Sequence, residues 1–256
     1  MLSEDSPLYG PPNLPSPPPL GQADPACIKA FHYWQGAFST LMFPSTVDEH
    51  GQQHKHPGAI AQRITPDGDV YGCLHDHDLG ASMFGAAWTH SGAFSLTFDG
   101  GEVSDAMATP MSMNNGATPG GGNTIVGFAM DMRSNQQHGY RVPNGMLEWY
   151  DPTAATAVTA IWDINPGQQF VGMYREFSEP TAQRHGFLQA PDLATPPVTF
   201  DFTCQDPAGC AGAPLGTVAF ATIAFGINPE GVIVGQYVLA GGGASHGFIA
   251  ILRSTN

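Results

Sequence analysis

The sequence predicts an all-β chain, a β-propeller of four four-stranded blades, and three observations predict it. Gly (32) and Pro (23) interrupt nearly every helical window of the 256 residues, which favours short strands joined by turns. A strand–turn–strand unit recurs four times along the chain. Each copy is followed by a short aromatic motif and then by a further strand, which gives four strands per repeat. A four-stranded unit repeated at about 50 residues reads as a propeller blade, because one such sheet cannot bury both faces and must stack around an axis.

The elements follow in chain order. Residues 1–29, beginning "MLSEDSPLYGPPNLPSPPPLGQADP", read as a polyproline-type arm. That stretch has no basic start and no apolar core, so it does not read as a signal peptide. Residues 30–256 read as one propeller domain. "FHYW" at 31–34 is strand-like but has no blade in front of it, so a count of five blades stays open. Strand A of each repeat is "FSTLMF" (38–43), "FSLTFD" (94–99), "MLEWYD" (146–151) and "VTFDFT" (198–203).

Strands B and C are the hairpins "AQRITPDGDVYGCL" (61–74), "SMNNGATPGGGNTIVGF" (112–128), "AIWDINPGQQFVGMY" (160–174) and "AFGINPEGVIVGQY" (224–237). They share Gly72, Gly127, Gly172 and Gly235. The residues of "NPEG" suit a type I turn with a positive-φ exit. Strand D carries "HGY" (138–140), "HGF" (185–187) and "HGF" (246–248), with "FGAAW" (84–88) in the first copy. A histidine repeated at one position, here His138, His185 and His246, is expected to be structural and to hydrogen-bond a neighbouring turn or blade. A β-sandwich is the alternative architecture; it explains the alternation but not the repeat.

"INPEGVIVGQY…HGFIAI" and "INPGQQFVGMY…HGFL" resemble the repeats of bacterial extracellular HAF-repeat proteins. The likeness covers most of residues 31–252 and is strongest in the third and fourth copies. It implies a secreted or cell-surface β-repeat protein and brings no particular activity with it.

Charge and cysteines bound the partners. Eight Lys and Arg stand against 22 Asp and Glu, a formal −14. Such a surface repels phosphate backbones, which argues against nucleic acid. No apolar run reaches the length of a membrane helix, so no membrane span is expected. Cys204 and Cys210 bracket the turn-rich "CQDPAGC", which a disulfide would close, leaving Cys27 and Cys73 to pair by elimination. A disulfide in so lysine-poor a chain suggests a secreted, periplasmic or cell-surface protein.

The chemistry-bearing residues gather in two patches, "DEHGQQHKHP" (48–57) and "HDHD" (75–78). His54/His56 and His75/His77 are both H-x-H pairs, and alternate residues of an extended chain share a face. The B–C hairpin of the first repeat is expected to bring His77 beside His56. Three or four imidazoles would suit a transition metal such as Zn, Cu or Fe, with Asp78 as a further ligand. The variable A–B and C–D loops fall at one end of the blades. There Arg175, Glu176 and Asp131 are the candidate catalytic groups around such an ion. No nucleophile elbow, phosphate loop or C-x-x-C is present.

Two functions follow. One is an exported propeller metalloprotein, a metal-dependent hydrolase, lyase or oxidase of a small-molecule or polymeric extracellular substrate. The other is a non-catalytic propeller module that binds a glycan, small ligand or protein.

Overall fold

The structure is a computed structural model. It describes residues 30–34, 36–41, 57–64, 68–76, 82–89, 94–96, 106–114, 124–131, 136–143, 146–206, 210, 213–240 and 244–251. Within them the chain is all β, in several sheets, and no helix occurs among the described residues. The chain falls into two compact units, Met1–Pro110 and Met111–Asn256.

In the first unit, β1 (Ala30–Trp34) and β2 (Ala37–Leu41) form an antiparallel hairpin. A four-stranded antiparallel sheet follows in chain order: β3 (Pro57–Ile64), β4 (Val70–Asp76), β5 (Ser82–Trp88) and β6 (Phe94–Leu96). The next four strands are β7 (Ala106–Asn114), β8 (Thr124–Asp131), β9 (Gln136–Pro143) and β10 (Glu148–Tyr150), again adjacent in order. The same arrangement recurs in β11 (Thr156–Ile164), β12 (Phe170–Glu176), β13 (His185–Gln189) and β14 (Val198–Phe200). One parallel pairing, Val158 with Gln137, joins these two sets into an eight-stranded sheet. The last sheet has three strands, β15 (Ala219–Ile227), β16 (Val232–Leu239) and β17 (His246–Ile251).

Three of these sets are four-strand meanders, and their frame differs from the A-B-C-D grouping read from sequence. Each short A strand pairs with the D strand before it: β6 with β5, β10 with β9, β14 with β13. After the last of these short strands, residues 201–218 run on before β15 starts.

Irregularities recur at matching positions. A register shift falls between Ala61 and Arg63, between Ile161 and Asp163, and between Ala224 and Gly226. The shared glycine lies opposite each shift, with no room for a Cβ. At Gly172 one would run into the Ala160 carbonyl and the Phe187 ring, and at Gly235 into the Ile223 carbonyl and the Phe248 ring. The hairpin exit has positive φ in three copies, at Gly68 (88°), Gln168 (63°) and Gly231 (80°).

In the second unit each repeat buries the "VG" face of the one before it. Val126 of β8 is fully buried against Ile161, Ile164, Phe170 and Phe187 of the next repeat. Val171 and Leu188 are covered in turn by Ala224, Ile227 and Ile233, with Phe248 and Ala250 at the margin. Polar staples cross the same junction. Buried Asp163 accepts the Ile227 N–H at 2.9 Å, and Asn165 donates to the Asn228 carbonyl at 3.0 Å. In the last sheet the matching face is open: Val234 is 46 % exposed, Ile249 73 % and Ile251 67 %.

Candidate functional site

Of the two histidine patches the structure describes Pro57, His75 and Asp76, at one end of the β3–β4 ladder. Its last described pairs are Gly58 with His75 and Pro57 with Asp76. On its other side His75 pairs with Met83 of β5. His54, His56, His77 and Asp78 lie outside the described residues. Among the described residues, no group of three or more His, Cys, Asp or Glu is placed to hold a metal ion. Asp131 is the last residue of β8, paired with Gln136.

The richest described constellation belongs to the repeated histidines. His138 Nδ1 stands 2.7 Å from Asp151, whose other oxygen accepts the Thr159 hydroxyl at 2.5 Å. His185 Nδ1 lies 2.9 Å from both oxygens of Asp201. Its Nε2 lies 2.6 Å from Glu179. Both aspartates immediately follow the A-strand cores "EWY" and "VTF". The histidine at the start of strand D is therefore fastened to the end of the strand beside it. In the fourth copy the His246 ring stacks on Tyr237, with centroids 5.3 Å apart.

Arg175 and Glu176 end β12, and their polar groups turn inward on the 177–184 connection. Arg175 Nη1 donates to the carbonyls of Glu176 and Glu179 at 3.1 and 3.3 Å. The Glu176 N–H donates to the Glu179 carboxylate at 2.7 Å. Arg184 donates to the carbonyls of Thr181 and Gln183. The connection is also tied outward. The Phe177 N–H donates to the Ala155 carbonyl at 3.0 Å, which sets the β12–β13 and β10–β11 connections at one end of the sheet. The Arg184 N–H donates to the Phe220 carbonyl and the Thr222 N–H to the Arg184 carbonyl, which anchors the strap to β15.

Electrostatics follow from these contacts. Burial alone would lower the His185 pKa, but its hydrogen bonds to Asp201 and Glu179 and their charges outweigh burial, and the net shift is upward. Burial and the neighbouring Arg175 charge lower Arg184. Burial raises Tyr150, with Asp151 and Tyr174 adding to the rise. The Tyr150 hydroxyl donates to buried Gln189 at 2.8 Å.

Cys204 and Cys210 form the disulfide that their spacing suggests, with Cα atoms 6.0 Å apart, at the start of the β14–β15 connection. Cys73 lies in β4, paired with Gly85, and Cys27 lies outside the described residues. The sequence reading missed Asp151, Asp201 and Glu179. The signal was present for the two aspartates, because Asp closes "MLEWYD" and follows "VTF" in "VTFDFT". No protein-family model, curated protein or solved structure matches the chain.

Proposed function

We propose that the protein is an exported, non-catalytic β-propeller module that binds a glycan, small ligand or protein through the loops at one end of its sheets. One observation carries this reading. Two of the repeated histidines and a loop arginine are engaged within the scaffold: His138 with Asp151, His185 with Glu179 and Asp201, Arg175 with loop carbonyls. Groups committed in this way stiffen a loop-bearing scaffold, and loops on a rigid scaffold are where recognition concentrates. The Cys204–Cys210 disulfide supports export. The likeness to HAF-repeat proteins points the same way.

A second reading is a metalloprotein that holds Zn, Cu or Fe with His54, His56, His75 and His77, and with Asp78. It is favoured by the β3–β4 register, which brings His75 and Asp76 to the strand end from which the 48–56 patch continues. Such an ion would supply an acidified water or a polarised carbonyl.

Metal analysis of untagged protein separates the two. The module reading expects no stoichiometric transition metal and a thermal midpoint unchanged by chelator. One equivalent of metal that is lost in the His54→Ala/His77→Ala variant overturns it.

A further inference from the structure

A neutral imidazole carries one N–H and can donate to one carboxylate; the second carboxylate then faces a lone pair. His185 has a carboxylate on each ring nitrogen, Glu179 at 2.6 Å on Nε2 and Asp201 at 2.9 Å on Nδ1. Only the imidazolium satisfies both. The two carboxylates come from different places: Asp201 lies just beyond β14, and Glu179 lies in the 177–184 connection. We propose that His185 is a pH-sensitive latch: protonated, it ties the 177–184 strap to the end of β14, and its deprotonation releases the Glu179 side.

The surroundings decide which side lets go. Asp201 offers both oxygens to Nδ1 and sits at a strand end whose neighbour, Phe202, donates its N–H to Thr222. Glu179 sits in the middle of a connection whose backbone is tied at its two ends, at Phe177 and Arg184, and its side chain is held by His185 and the Glu176 N–H, with Arg175 on its carbonyl. From β12 the ring also faces Tyr174, with centroids 5.2 Å apart, and Glu176 ends the same strand. Arg175 and Arg184 flank the strap, and Gln183 Nε2 is 3.4 Å from the ring. Both arginines bond backbone carbonyls through Nη1. A strap that loosens in alkali and closes in acid would regulate whatever the 177–184 loop contacts, and it does not depend on the protein's being a binding module.

The full-length chain is studied by ¹⁵N NMR of the His185 ring and by amide exchange at Glu176, whose N–H reports the Glu179 carboxylate directly. Both ring nitrogens should be protonated below pH 6.5, and the ring should titrate above 6.5, the ordinary histidine value. Across that titration, Glu176 exchange should accelerate about tenfold beyond the intrinsic base-catalysed rise, as expected when a charge-assisted contact is lost. In Glu179→Gln the acceleration at Glu176 should disappear while His185 still titrates against Asp201. A His185 that titrates below 6.5, or a Glu176 exchange rate indifferent to its titration, overturns the latch.

Discussion

Leu188→Ala probes the junction between the third and fourth repeats. Leu188 is 4 % exposed and packs with Val171, Ala224, Ile227 and Ile233. The substitution removes three carbons, about 2.4 kcal/mol at about 0.8 kcal/mol per buried methylene. The cavity left between two sheets adds to this, because β-strands tied by ladder bonds collapse little. The sum falls near 3 kcal/mol, within the range of about 2–5 kcal/mol for buried Leu→Ala. For a chain of this size that lowers the thermal midpoint by roughly 6–12 °C. Urea denaturation followed by tryptophan fluorescence is the assay, since Trp162 lies at the same junction with its ring 5.0 Å from Phe225. Val198→Ala is the control. It pairs with Leu188 on β14 but is 48 % exposed, so its cost should stay within about 0.5 kcal/mol. Equal costs at the two positions would refute the packing of one repeat on the next.

Three further outcomes follow from single positions. Gln168→Gly should stabilise the protein by about 1 kcal/mol, because Gln168 occupies a left-handed conformation that glycine takes in the sister hairpins at Gly68 and Gly231; a chemical denaturation midpoint reads it. Gly172→Ala should destabilise by more than about 2 kcal/mol in the same assay, because the methyl meets the Ala160 carbonyl and the Phe187 ring. His185 has a folded pKa above its unfolded value of 6.5, so its contribution is fully present below pH 6.5 and fades as pH rises through the folded pKa. Thermal midpoints measured from pH 6 to 9 should therefore fall in the wild type, and fall less in His185→Gln.

The strands were legible because their signals are local. Runs of apolar and β-branched residues mark β11 and β16, and the Pro–Gly turns after β11 and before β16 carry their own backbone chemistry. Their grouping was harder to read. A local pattern identifies a strand but not which of two flanking strands it pairs with, and β6 and β14 both pair with the strand before them. The repeated histidine could be recognised as structural, but its partners stand 13 and 16 residues away across turns of different length. No fixed spacing announces them. The disulfide was readable because "CQDPAGC" brings both thiols to one turn. Four of the five predicted metal ligands fall outside the described residues, so the H-x-H pattern remains the whole basis for that site.

The exposed face of the last sheet has its most direct test at Ile249, which pairs with Val234 and is 73 % exposed. A side chain that water already surrounds loses little on substitution, so Ile249→Glu should cost no more than about 0.5 kcal/mol. The thermal midpoint should stay within about 2 °C of the wild type. A fall of several degrees, independent of protein concentration, would contradict this and show that another surface covers the face.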